Sequence, residues 1–127
     1  MDLFTSFSAL AGVPLPKDRV MDGFDLSGTL FKNAPSPRKE VFYYRGTQLY
    51  AARLGDYKAH YITEGSYGQF GEKEIHNPPI LFNLSVDPSE KFDLRASHPE
   101  ILAEIDLMVK EHQSNLVKGK EQLADIE

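Results

Sequence analysis

Between Val41 and Thr63 the chain alternates apolar and polar side chains, VFYYRGTQLYAARLGDYKAHYIT, and the alternation breaks at Arg45-Gly46-Thr47 and Leu54-Gly55-Asp56. A period of two places successive side chains on opposite faces of a strand, so the pattern predicts a three-stranded meander with strands Val41–Arg45, Gln48–Leu54 and Asp56–Thr63. On the third strand Tyr57, Ala59 and Tyr61 fall on one face, and Lys58, His60 and Ile62 on the other. The apolar-aromatic face needs a cover. Ile101, Leu102, Ile105, Met108, Val109 and His112 recur at helical spacing, with Glu100, Glu104, Lys110 and Glu111 pointing outward, which predicts that cover as a helix running to about Ser114. Ser97-His98-Pro99-Glu100 has the S-x-x-E form of a capping box, with proline in the first turn, and marks its start. Ile80–Leu84 is expected as a fourth strand ended by the turn Asp87-Pro88-Ser89-Glu90, after a loop over Glu64–Pro79 rich in Gly, Ser and aromatic residues.

Ahead of the meander, MDLFTSFSALAG carries Leu3, Phe4, Phe7, Leu10 and Ala11 at spacings of three and four. This predicts a short amphipathic helix with Asp2 as N-cap and Gly12 as its stop. Val13–Arg38 is punctuated by Asp22-Gly23, Pro35 and Pro37 and is expected to be a long connector anchored by Leu26, Leu30 and Phe31. A structureless stretch of this length is uncommon inside a small domain, which suggests a segment that crosses between layers of a larger protein. The expected division is 1–38, terminal helix and connector, and 39–127, a small α+β unit with an antiparallel meander sheet of three or four strands packed by a C-terminal helix. Gly119 and the acidic tail EQLADIE are expected to leave the core.

Composition narrows the function classes. With 127 residues there is room for one modest core, and a net charge of −5 with dispersed Lys and Arg argues against a dedicated nucleic-acid surface. No apolar run approaches the roughly 20 residues of a membrane span, and Asp2 stands where a signal peptide would carry a basic residue. The absence of cysteine excludes disulfides, thiolate metal sites and thiol nucleophiles within the chain.

The candidate chemistry is therefore carried by other groups. His60, His76, His98 and His112 show no metal-ligand spacing, and His98 and His112 have structural explanations at helix ends. Lys58 and His60 share a strand face; with Arg45 and Arg53 nearby, and Tyr67 in the following loop, they are candidates for an electropositive rim facing an anionic substrate. A solvated strand edge uses the same residue types. Asp22, Asp25, Asp87, Glu90 and Asp93 lack calcium-loop spacing and are better explained as turn and cap residues. Asn83-Leu84-Ser85 fits the N-x-[ST] pattern at the end of a predicted strand.

Taken in order, MDLF…ALAG, MDGFDL, FYYRG, LGDYKAH, PPILFNLSVDPSEKFDL and a helix opening HPEI resemble the C-terminal region of type I sulfatases over nearly the whole chain, from Met1 to about Leu123. The likeness is closest to the arylsulfatase A and N-acetylgalactosamine-6-sulfatase branch, FYYRG resembling the latter type in particular. Two departures stand out: Thr5 where the branch often has proline, and Gly68 after Gly65-Ser66-Tyr67 where some relatives have histidine.

This resemblance implies the C-terminal subdomain of an alkaline-phosphatase-like fold. Its catalytic α/β domain would carry a formylglycine matured from a C-x-P-S-R or S-x-P-S-R motif, together with calcium. Neither group has its motif here, since Pro35-Ser36 and Pro88-Ser89 are followed by Pro37 and Glu90. The resemblance thus implies a fragment that is inactive alone, binds no cofactor itself, and has a missing N-terminal catalytic domain as its partner. The parent would hydrolyse sulfate esters of aryl compounds or sugars in a periplasmic, secreted or lysosomal setting. Such a fragment is expected to expose apolar surface around Phe4, Phe7, Leu10 and Phe24 and to self-associate. The alternatives are a free-standing binding module without catalysis and, less favoured, a phosphohydrolase of the same superfamily.

Overall fold

The structure is a computed structural model that describes residues 1–65 and 71–117. The chain divides into two compact units, 1–39 and Glu40 onward. The second holds a four-stranded antiparallel sheet in the order β1-β2-β3-β4, with β1 Glu40–Arg45, β2 Gln48–Leu54, β3 Tyr57–Thr63 and β4 Glu74–Asn83. The two-residue connections 46–47 and 55–56 keep β1, β2 and β3 adjacent in chain order; Gly46 and Gly55, both at φ 58°, supply their left-handed corners.

Pairing puts Phe42 opposite Ala52, Ala52 opposite Ala59 and Ala59 opposite Leu81, one row across all four strands. The expected cover, α3 (Pro99–Asn115), adds Leu102, Ile105 and Val109 to the core that contains Ala52, Ala59 and Leu81. Tyr57 and Tyr61 pack against this core, as the alternation of β3 predicts. His112, expected on the buried stripe, is half-buried and lies flat on Phe42, ring centroids 3.7 Å apart, while its Nε2 meets the Tyr44 hydroxyl at 3.1 Å.

Two expectations for this unit are corrected. No capping box forms: the N-cap of α3 is His98, without a side-chain cap bond, and the Ser97 hydroxyl donates to the Leu94 carbonyl instead. The fourth strand is longer than Ile80–Leu84, because pairing resumes beyond the prolines; His60 faces Ile80 whereas Ile62 faces Ile75, so the Asn77-Pro78-Pro79 stretch bulges out of the ladder. Proline has no N–H to donate, which is the reason it sits where the ladder skips.

Downstream of β4 the segment Asp87–Leu94 is fastened to the sheet. Buried Asp87 accepts the amides of Lys91 and Phe92 through Oδ2 at 2.7 and 2.8 Å. Asp93 Oδ1 accepts the amides of Leu81 and Arg95, and the Leu94 amide donates to the Leu81 carbonyl at 2.8 Å. These are the turn roles expected of the aspartates.

The first unit contains α1 (Asp2–Leu10) and, inside the stretch expected to be irregular, a short helix α2 (Ser27–Lys32). Asp2 is the first residue of α1 and not its N-cap, a position held by Met1. Its carboxylate accepts the Phe24 amide at 2.9 Å and the Arg38 guanidinium, also at 2.9 Å through Nε. Ser6 Oγ accepts the Leu26 amide at 2.8 Å and donates to the Asp2 carbonyl. The segment MDGFDL thereby docks on the Asp2–Thr5–Ser6 side of α1, and Gly23 is needed there: a Cβ would stand 2.6 Å from Thr5 Oγ1 and 2.7 Å from the Met1 carbonyl oxygen. The buried residues of α1 are polar, Thr5 and Ser6, while Leu3, Phe4, Phe7 and Leu10 are exposed. Phe24 is half-buried, with the Arg38 guanidinium 4.6 Å from its ring centroid.

Candidate functional site

The face of the sheet opposite α3 carries Lys58 and His60, brought together by the period of β3. Neighbouring strands add Tyr43, opposite Ala51, and Phe82, opposite Lys58. The Lys58 ammonium lies 4.9 Å from the Tyr43 ring centroid, and the His60 ring meets Phe82 edge-on at 5.8 Å. Both polar heads converge on one carboxylate. Lys58 Nζ donates to Glu90 Oε1 at 2.7 Å, and His60 Nε2 meets Glu90 Oε2 at 2.6 Å.

Glu90 reaches them because the turn after Asp87 holds its backbone in the left-handed region, φ 54, with its amide bonded to the Asp87 carbonyl at 3.1 Å. The side chains of the trio are 17%, 18% and 26% exposed for Lys58, His60 and Glu90, enough burial to matter for charge. Burial and then the Lys58 charge hold His60 below its ordinary range, against the opposing pull of Glu90. Burial pushes Glu90 up, but the hydrogen bonds from Lys58 and His60 and the Lys58 charge outweigh it and leave the carboxyl lowered. At neutral pH the trio is therefore an ammonium–carboxylate pair with a neutral imidazole donating from Nε2.

Arg45 does not join this trio. It ends β1 opposite Gln48, whereas Lys58 faces Arg53, five positions along β2 and roughly 16 Å away. Arg45 pairs with Glu64 at 2.8 Å, and the same carboxylate accepts the Tyr50 hydroxyl, whose ring lies beneath both Arg45 and Lys73. Lys73 in turn donates to Gln48. The expected rim thus resolves into two carboxylate-centred clusters. Arg53 donates to the Gly55 carbonyl at 2.7 Å, and Tyr67 lies outside the described residues.

Sequence reasoning missed a further arrangement on the α3 side. The Tyr61 hydroxyl donates to Asp106 Oδ1 at 2.7 Å, and burial followed by this bond pushes the phenol well above its ordinary range. Nearby His76 is buried, with Nε2 2.8 Å from Thr63 Oγ1. The i, i+3, i+4 pattern could have placed Asp106 beside Val109 and Lys110 on α3, but Tyr61 and Asp106 are 45 residues apart and no local pattern joins them. Asn83 of the N-x-[ST] match accepts the Ser85 amide and hydroxyl through Oδ1. Among the described residues no helix is long and apolar enough to cross a membrane.

Comparison with known proteins follows the same segments. A family model described as the C-terminal region of aryl-sulfatase matches residues 36–127. N-acetylgalactosamine-6-sulfatase of Sus scrofa is 37% identical over 97% of this chain and 28% of its own length. Arylsulfatase A of Homo sapiens is 34% identical over 95% of this chain and 29% of its own. A solved sulfatase structure from Pseudoalteromonas sp. superposes with a TM-score of 0.75 at 24% identity, covering 89% of this chain and 25% of that one, a likeness of fold. The chain spans between a quarter and a third of each of these proteins.

Proposed function

The chain belongs to the family of aryl-sulfatase C-terminal regions, and from that premise we propose that it serves as the small α+β subdomain of a sulfate-ester hydrolase, bracing a catalytic domain and shaping the entrance for substrate. The observation that carries a bracing role is the commitment of Lys58, His60 and Arg45 to carboxylates of this same chain. Groups tied in this way stiffen a sheet face and leave only their outer edges to an incoming anion. The substrates proposed for the whole enzyme are aryl sulfates or sulfated sugars such as N-acetylgalactosamine 6-sulfate, the kinds of molecule for which the relatives are named.

Formylglycine and calcium do not fit the residues present. The chain has no cysteine or S-x-P-S-R motif, and no cluster of three or more His, Asp or Glu side chains suited to a metal occurs among the described residues. Both groups are assigned in this proposal to the catalytic domain, and no reaction step is derived from this chain.

The test is reconstitution. The full chain, mixed with a related N-acetylgalactosamine-6-sulfatase truncated of its own C-terminal region, is expected to restore calcium-dependent release of sulfate from an aryl sulfate, while the chain alone releases none. Calcium-dependent release by the chain alone would overturn the bracing role. Failure to restore activity, with a chain swap confirming that the truncated enzyme is competent, would overturn the assignment to a hydrolase.

A further inference from the structure

On the α3 side of the sheet, away from Lys58 and His60, a groove of ≈ 630 Å³ opens between α3 and the bulged part of β4. Its helix wall is Asp106, Val109, Lys110 and Gln113, the i, i+3, i+4, i+7 spacing that brings four side chains to one helix face. The opposite wall is the Ile75–Pro79 region, where the ladder skip between Ile62–Ile75 and His60–Ile80 pushes the strand outward. Leu49 and Val109 make an apolar floor, and Ile62 and Ile75 add to the apolar lining.

Several polar groups around that floor carry no hydrogen bond among the described residues. Tyr61 occupies Asp106 Oδ1, and Asp106 Oδ2 has no hydrogen-bond partner among the described residues. Lys110 has neither carboxylate nor carbonyl partner there, and the side-chain amides of Asn77 and Gln113 are likewise unbonded among the described residues. This contrasts with Arg38, Arg45, Lys58 and Arg95, each paired with a carboxylate. A groove of this volume, with an apolar floor and a few convergent polar groups, has the form of a small-molecule site.

We propose that this groove binds an acidic saccharide unit. The apolar floor takes the C–H face of a sugar ring, Asn77, Gln113 and Asp106 Oδ2 answer ring hydroxyls or an amide, and Lys110 answers the anionic substituent. The sulfatase reading supplies the choice of sugar; the groove itself stands on the geometry.

The test is a titration of the full ¹⁵N-labelled chain with N-acetylgalactosamine 6-sulfate, N-acetylgalactosamine and sodium sulfate in parallel. The sulfated sugar is expected to move the amide signals of Asn77, Asp106, Lys110 and Gln113. The neutral sugar should do so more weakly, and sulfate alone should not. Lys110→Ala should weaken binding about tenfold, the scale of one charge-assisted hydrogen bond, and Lys110→Arg should keep most of it, whereas Lys91→Ala should change nothing. Equal binding of sulfate alone, movement confined to Lys58 and His60, or wild-type affinity in Lys110→Ala would overturn the proposal. Intact saccharide binding with failed reconstitution would remove the hydrolase assignment alone, and the converse would remove the groove alone.

Discussion

Glu90 holds two side chains of β3 from a backbone conformation that an L side chain adopts at a cost, φ 54. Its removal leaves a half-buried ammonium and an imidazole without their acceptor, so Glu90→Ala should lower stability by about 1–3 kcal/mol. Glu90→Gly should lose about 1 kcal/mol less, because glycine relieves the left-handed strain while deleting the same carboxylate. Urea midpoints of the two variants check this; equal losses would mean that the left-handed strain contributes nothing and the carboxylate carries the whole effect, and no loss in either would overturn the role of the carboxylate. A pH dependence follows from His60. Its folded-state pKa lies below the ordinary 6.5, so the unfolded chain takes the proton first. Its contribution is present above pH 6.5 and is lost as pH falls through the folded value. His60→Gln should flatten that part of the stability profile. The pairing of Lys58 with His60 on one face was legible from alternation alone. Their shared partner was not, because Glu90 lies 30 residues beyond His60 and arrives through the path of a turn.

At the scale of elements, the meander and α3 were legible because their burial is local and periodic. The row Phe42–Ala52–Ala59–Leu81 is where alternation on four strands places it. Where reasoning failed, a side chain had found a partner other than the helix end expected of it. Asp2 was expected to cap its helix and instead holds Phe24 and Arg38; Ser97 was expected to cap α3 and turns back to Leu94. The prolines of β4 hid its first half, since pairing resumes at Ile75. The docking of MDGFDL on α1 gives a test of this scale. Gly23→Ala would force a methyl into the Met1 carbonyl and Thr5, and should destabilise the first unit by about 1–3 kcal/mol. Loss of hydrogen-exchange protection at the Phe24 and Leu26 amides, with those of β3 unchanged, would report it.

For the whole molecule, the two units present different surfaces. The second buries its aliphatic residues under α3, whereas α1 turns Leu3, Phe4, Phe7 and Leu10 to solvent and keeps Thr5 and Ser6 inside. Contiguous apolar surface of this kind ordinarily meets another protein surface. In the proposed reading it meets a catalytic domain, and in its absence the chain is expected to self-associate. Phe4→Ser with Phe7→Ser should shift sedimentation toward monomer without loss of the α3 far-ultraviolet helix signal; unchanged association would place the contact elsewhere. The α+β architecture was visible in the sequence, but the groove beside α3 was not, since it needs Tyr61, the β4 bulge and the last turns of α3 to meet in space.

Ala52 and Ala59 occupy the middle of the row beneath α3, both 0% exposed, flanked by Phe42 and Leu81. Two methyl groups therefore set how far the helix stands off the sheet. Close packing transmits such a dimension with little give. Valine at either position would act as a shim, lifting α3 and with it Asp106, Lys110 and Gln113, so that the width of the groove is governed from positions that never touch what it holds.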